Sequence, residues 1–193
     1  MARSLLIMSA FLMNCSLGNA QSVPVAEVFA GYSHLWQGNQ TAPGWNASAS
    51  VNTNRWLGVV ADFSGHYFPE EIFGSASNSG KSRPSHYRFL VGPQLSWRTP
   101  KRLTPGIHAL VGLTQRRIHT SGISNPGYPF SSEAFPYSVT TTDNDFGGAV
   151  GATLDIQATD RVAVRLIQFD YLGNPSAVRF SVGIVMLHGR RGQ

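Results

Sequence analysis

Cysteine is almost absent from this chain: Cys15 is the only one in 193 residues. No internal disulfide framework can therefore hold the fold. Charge is thin, at 13%. No stretch approaches the roughly 20 consecutive apolar residues that a membrane-crossing helix needs, and no amphipathic helical pattern stands out. The excess of basic residues is scattered. Lys101 and Arg102 share one turn, Arg116 and Arg117 one strand end, Arg190 and Arg191 the tail. Without a basic stripe or interleaved aromatics, the pattern excludes nucleic acid as a partner.

The N-terminus has the three parts of a secretory signal. Arg3 supplies the positive region, Leu5 to Leu12 a short apolar core, and Gly18-Asn19-Ala20 a small-x-small cleavage site before Gln21. Residues 1–20 are read as a signal peptide and 21–193 as one domain. Asn14, preceding Cys15, departs from the small residue that a lipoprotein signal would place there. Cleavage removes the only thiol. Fifteen basic residues less Arg3 leave fourteen against ten acidic ones, a net charge of +4.

What the chain does contain is alternation. Trp45-Asn46-Ala47-Ser48-Ala49-Ser50-Val51-Asn52 and Tyr87-Arg88-Phe89-Leu90-Val91-Gly92 place apolar residues on one face and polar or small ones on the other. A soluble sheet hides its apolar face in a core, and no helix is available to cover it here. A closed barrel with an apolar exterior and a polar interior resolves this. Many of the 20 glycines fall inside apparent strands, where a narrow barrel uses them to make room for larger neighbours.

Eight strands are predicted, at about Val25–Trp36, Gly44–Asn52, Trp56–Tyr67, Ser85–Trp97, Gly106–Ile118, Asp145–Ile156, Val162–Tyr171 and Ala177–Leu187. Lengths near ten suit tilted strands crossing a bilayer. Gln37–Pro43 is read as a medium connection, Phe68–Pro84 and His119–Asn144 as long ones, and Thr53–Arg55 and Gln157–Arg161 as tight ones. Short periplasmic turns alternating with longer external loops set both termini on the periplasmic side. Trp36, Trp45, Tyr67, Tyr87 and Tyr171 fall near external strand ends, and Trp56 and Trp97 near periplasmic ends. These are positions for headgroup-level girdles. The predicted fold is all-β: an eight-stranded antiparallel transmembrane up-and-down barrel.

These residues resemble a family. Val28-Phe29-Ala30-Gly31-Tyr32-Ser33, Asn54 through Gly65, Gly151-Ala152-Thr153-Leu154-Asp155 through Ala163, and Asp170-Tyr171-Leu172 with Val178 through Val185 are similar to the small outer-membrane β-barrels of the OmpA/OmpX type. They are closer still to short porin-like proteins made of the barrel domain alone. The resemblance spans about Val25 to Leu187. It implies a bacterial outer-membrane location, membrane lipids as surroundings, and the barrel assembly machinery as a partner in biogenesis. Such barrels end in an aromatic residue; here His188 holds that place and a polar tail follows.

Parity points Glu27, Asp62, Arg88, Arg116, Asp155 and Arg179 inward. Arg165 and Asp170 have opposite parity, which suggests a bulge between them. An eight-stranded lumen is just wide enough for side chains to fill, so an internal salt-bridge network is expected in place of an open pore. Asp62 is expected near Arg88. On that basis Arg88→Ala should cost much more thermal stability than Arg83→Ala.

Three other constellations could carry chemistry. His119, Ser121 and Glu133 are similar in spacing to the His/Ser/Glu arrangement of lipid A 3-O-deacylases, which are also eight-stranded barrels. That resemblance implies a base, a nucleophile and an orienting carboxylate, but here the three fall in a predicted loop rich in Ser and Gly. His66 and His86 face each other across one hairpin, with Glu70 and Glu71 beyond, yet two histidines alone make a weak metal site. Phe146-Gly147-Gly148-Ala149-Val150-Gly151 lacks the helix that a nucleotide fingerprint requires. No cofactor is expected. The leading expectation is a structural or surface-interaction barrel, not an enzyme. Phe73, Tyr128, Phe130, Phe135 and Tyr137 would contact an extracellular partner whose identity the residues do not reveal. The alternatives are the deacylase-like hydrolase and a soluble barrel with an apolar, ligand-binding lumen.

Overall fold

The computed structural model describes residues 23–75, 78–99, 102–125 and 134–189. Residues 1–20, read above as a signal peptide, and with them Cys15, lie outside these, as do Glu133, Tyr128 and Phe130. The described strands are β1 (Ala26–Gln37), β2 (Gln40–Asn52), β3 (Leu57–Tyr67), β4 (Glu71–Gly74), β5 (Asn78–Ser96), β6 (Leu103–Ser124), β7 (Phe135–Gln157), β8 (Val162–Gly173) and β9 (Ala177–His188). All neighbours pair antiparallel, in the order β3-β2-β1-β9-β8-β7-β6-β5, and β3 pairs with β5 to close a ring of eight. The first and last strands meet along their length, from Ala26 opposite His188 to Trp36 opposite Val178. Closure leaves no free sheet edge within the ring, which is what a strand needs where no water can satisfy its backbone.

The exterior is apolar. Val28, Val59, Phe89, Val111, Val150 and Ile184 all point outward and are exposed. Trp36, Tyr67 and Tyr171 stand outward at one end and Trp56 and Trp97 at the other. The interior is polar: Ser33, Asn46, Asp62, Arg88, Gln168, Asp170 and Arg179 are buried. This excludes the soluble barrel with an apolar lumen, because the apolar face is the outer one. A smaller apolar group, including Leu35, Leu90, Leu110 and Leu172, shares the interior.

Three connections differ from the sequence expectation. The medium link after β1 is a two-residue turn, Gly38-Asn39, with Gly38 at φ +59°. That left-handed conformation is one glycine adopts without strain. The two long loops are largely strand. Residues 78–84 of β5 pair with 118–124 of β6, and 118–124 pair with 135–141 of β7. The short ninth strand, β4, pairs only with β5, from Glu71 opposite Ser82 to Gly74 opposite Ser79. A four-stranded sheet therefore rises roughly 20 Å beyond the β3–β5 contact, at about 3.3 Å per residue. Its Ser, Thr and Gly composition reads as loop locally, but in-register hydrogen bonding between neighbours overrides that preference.

A bulge lies in β8. Asp155 pairs with Arg165 and Leu154 with Ile167, so Leu166 has no partner on β7. On the other side Arg165 pairs with Gly183 and Gln168 with Ser181. The extra residue inverts the parity and turns both Arg165 and Asp170 inward, where both are buried.

Candidate functional site

Two regions concentrate chemistry: the lumen and the external sheet. In the lumen, Asp170 of β8 accepts hydrogen bonds from Arg179 Nε (2.8 Å), Gln168 Nε2 (2.9 Å) and His108 Nε2 (2.6 Å). Arg179 Nη1 continues to Asp62 Oδ1 at 2.8 Å, and Asn46 Nδ2 donates to Asp62 Oδ2 at 2.7 Å. Towards the periplasmic end, Arg165 Nε and Nη2 hold Asp155 at 2.8 and 3.1 Å, and its Nη1 donates to Gln168 Oε1 at 2.8 Å. The Arg165 guanidinium also lies 4.5 Å from the Phe29 ring centroid. A continuous chain of charged and amide groups thus runs from Asp155 on β7 to Asn46 on β2. Glu27 makes a separate pair with Arg98 at the periplasmic mouth, joined by Asn52 Nδ2 at 2.8 Å.

Gly151 explains how the hub fits. A Cβ built there would stand 2.1 Å from Asp170 Oδ1 and 2.7 Å from His108 Nε2. The glycine that reads as a weak strand residue is the space in which this pair meets.

Arg88 faces the lumen, with Asp62 two residues along β3 from its register partner Ser64, but the two side chains make no hydrogen bond. It is buried on the inner face of β5, with Ser64 opposite on β3 and Thr114 opposite on β6. Asp62 bonds to Arg179 and Asn46 instead. The Arg88 guanidinium nitrogens have no hydrogen-bond partner among the described residues, nor do the Ser64 and Thr114 hydroxyls. Arg116, nearer the rim, is half-buried opposite His86 and Asp143.

His66 and His86 are direct register partners and both are buried. His66 Nε2 lies 2.9 Å from Ser33 Oγ, and the Phe68 ring sits 4.6 Å from the His86 ring. Among the described residues no cluster of three metal-ligating side chains forms. Glu70 is engaged by Arg83 and Lys81, and Glu71 by Gln40. Phe146–Gly151 lies within β7.

The external sheet carries the other candidates. His119 and Ser121 are strand residues of β6, not loop residues as expected. They share the outward face that Val111 and Leu113 begin below, and His119 Nδ1 lies 3.0 Å from Thr140 Oγ1. Phe73 stands on β4 opposite Gly80, and Phe135 and Tyr137 stand on β7 opposite Ser124 and Gly122. Gly80 and Gly122 pair with each other, so Phe73 and Tyr137 flank a glycine floor on one face of the sheet. Lys81 and Arg83 clamp Glu70, which lies outside the strands. Hydrogen bonds from Arg83 first, then Lys81, hold its carboxyl below the usual carboxylate value.

His108, Gln168 and Asn46 also belong to the interior chain, and Arg98 and Asn52 to the pair at Glu27. Only inward parity marks them in the sequence, since three are amides and one a histidine, and Arg98 follows the end of its strand.

No protein-family model matches the sequence, and no curated protein does either. Solved structures are similar in fold. One is Ail, the attachment invasion locus protein of Yersinia pestis, in complex with the heparin analogue sucrose octasulfate. It matches with a TM-score of 0.53 at 13% identity, covering 86% of this chain and 98% of that one. A second crystal structure of Ail gives 0.51 at 15% identity, covering 85% and 98%. Neisserial surface protein A gives 0.48 at 13% identity, covering 84% and 95%. An apolar outer face on a closed ring of strands is stable only against lipid. Exterior and topology together give this chain the fold of the small outer-membrane β-barrels of the OmpA/OmpX type, with its strands in the bacterial outer membrane.

Proposed function

We propose that this barrel is a surface-interaction protein: it holds a β-sheet above the outer membrane for an extracellular partner, and its lumen is plugged. The observation that carries the first part is the continuation of β5, β6 and β7 well beyond the ends of β3 and β8. Spanning a bilayer requires only about 9–11 residues per strand, so the additional strand length serves a purpose outside it. Phe73, Phe135 and Tyr137 on that sheet supply aromatic contacts. The same barrel architecture carries an attachment invasion locus protein in Ail. Membrane lipids surround the barrel, and the assembly machinery inserts it despite His188 at the end of β9.

For the second part, the support is the network joining Asp155, Arg165, Gln168, Asp170, Arg179 and Asp62 across the interior. Charged side chains bonded on both sides of a narrow lumen leave no continuous water path.

Bacteria displaying the wild-type protein should adhere to immobilised extracellular matrix or host cells. Bacteria displaying a form trimmed at the rim, with the sheet above Ser85, Arg117 and Thr142 replaced by tight turns, should not. Equal adherence would overturn the surface role. In planar bilayers the purified barrel should give no steady ohmic steps; a reproducible open channel would overturn the plug.

A further inference from the structure

The two ends of the barrel differ in charge. Between the described strands, the three periplasmic connections, 53–56, 97–102 and 158–161, hold five basic residues and one acidic residue, Asp160. The external connections contain no Lys or Arg, while Glu70 and Glu133 fall in them. Basic residues do stand on the external strands, but Glu70 engages Lys81 and Arg83, and Asp143 stands opposite Arg116. Four of the five periplasmic cations are arginines, and every periplasmic connection has at least one.

Each turn fixes its arginine. Asn54 Oδ1 accepts the Trp56 and Leu57 N–H groups at 2.8 Å each and so tightens the chain around Arg55. Thr159 Oγ1 accepts the Arg161 and Val162 N–H groups at 3.3 and 3.1 Å. Arg102 lies in the left-handed region at φ +63°, which is uncommon for a residue with a Cβ. The arginine carbonyls tie the three turns to their neighbours. Arg55 O accepts from Arg98 Nη1 at 2.8 Å, Arg102 O from Gln157 N at 2.9 Å, and Arg161 O from Leu187 N at 2.8 Å. Arg98 itself pairs with Glu27. Arg55, Arg102 and Arg161 are exposed, one on each turn around the rim.

Aromatic residues set the depth of this rim. Trp56 and Trp97 point outward at the same end, and tryptophan favours the headgroup level. The Arg55 guanidinium lies 4.4 Å from the Trp56 ring centroid, a cation–π contact that places a positive charge at that level. We propose that Arg55, Arg102 and Arg161 form a binding rim for anionic phospholipids of the periplasmic leaflet, with the headgroup phosphodiester as the recognised group. The planar guanidinium fork matches phosphate oxygens. A zwitterionic headgroup also brings an ammonium, which needs a carboxylate beside it. Glu27 is taken by Arg98 and Asn52, and Asp160 is already engaged. The rim therefore favours headgroups of net negative charge. Neither the external sheet nor an extracellular partner takes part.

The probe is phosphatidylglycerol with brominated acyl chains, which quenches nearby tryptophan. It is a minor component of phosphatidylcholine vesicles that hold the full refolded barrel. The chain has four tryptophans, so in Trp36→Phe/Trp45→Phe protein only Trp56 and Trp97 report. Brominated phosphatidylglycerol should reach them roughly threefold or more above brominated phosphatidylcholine at equal content. In about 1 M NaCl, where the screening length falls to roughly 3 Å, most of that preference should disappear. Arg55→Gln/Arg102→Gln/Arg161→Gln protein should show none, with heat-modifiable gel mobility intact. If that variant does not fold, the salt response of the protein with all three arginines decides the question. Equal quenching by the two brominated lipids, a preference insensitive to salt, or one that survives in the folded triple variant would each overturn the proposal. So would an equal preference at Trp36 and Trp45 in Trp56→Phe/Trp97→Phe protein. Binding of purified peptidoglycan through the same arginines, without a lipid preference, would replace the lipid by the cell wall and overturn it too.

Discussion

Arg179 on β9 reaches across the lumen to Asp62 on β3, 2.8 Å from Nη1 to Oδ1, while its Nε holds Asp170 on β8 at the same distance. One buried cation thus serves two buried carboxylates. Two strands, β1 and β2, separate β9 from β3 in the ring, so this contact ties opposite parts of the wall together.

Removing that cation leaves Asp62 and Asp170 buried without their shared partner. Breaking a buried pair costs about 3–5 kcal/mol because a charge remains uncompensated. Arg179→Met should lower the unfolding free energy of the refolded barrel by about that amount, read as a fall in its urea midpoint. Arg83→Ala, on an exposed pair with Glu70, should change it little. Similar midpoints for the two variants would refute the central role of Arg179.

Arg88 should behave in the opposite way. It is as deeply buried as Arg179, yet its guanidinium has no bonded partner among the described residues. Desolvation without a hydrogen bond disfavours the folded state. Arg88→Met should therefore stay within about 1 kcal/mol of wild type or exceed it. The structure moves the large stability loss expected at Arg88 to Arg179. Unfolding curves of both variants, measured side by side in one detergent, check the ranking.

Gly151→Ala puts a methyl group 2.1 Å from Asp170 Oδ1. Neither the carboxylate nor the His108 ring can keep its place. Overpacking of this kind costs about 1–3 kcal/mol. Gly38→Ala is the control: its surroundings are open, so only turn strain changes. A loss of heat-modifiable mobility at lower temperature for Gly151→Ala than for Gly38→Ala is the expected result.

Glu70 makes the base of the β4 hairpin pH-sensitive. Its carboxyl is held below the ordinary value by Arg83, then Lys81. A depressed folded-state value stabilises the hairpin above the unfolded-state value and loses that contribution as pH falls through the folded-state one. Amide exchange at Glu71–Gly74, compared with Glu70→Gln at each pH, should show protection favouring wild type near neutrality. The difference should vanish under acid conditions, and a constant difference across pH would contradict the clamp.

The lumen and the external sheet were legible in the sequence to different degrees, for physical reasons. Inward parity follows from the pleat, so Asp62, Asp155 and Arg179 could be assigned inward from alternation alone. Opposite parity at Arg165 and Asp170 required a bulge, and one stands at Leu166. Which charge met which was not legible. Arg179 and Asp62 lie far apart in sequence and on non-adjacent strands, so strand tilt and barrel curvature decide their contact. Ser-, Thr- and Gly-rich segments at 78–84 and 135–141 read as loop because β-propensity depends on neighbours that a single sequence does not reveal.

The sequence by itself determined an apolar face, a polar face and the absence of a spanning helix. Those features suffice for a barrel in lipid, because each follows from a period of two and from solvation. Tertiary structure alone decided the pairing of Arg179 with Asp62 and Asp170, the lack of a hydrogen bond at Arg88 and the point where β8 stops pairing with β7. Each depends on which strands are neighbours and where each one stops, and local chemistry along the chain does not encode that.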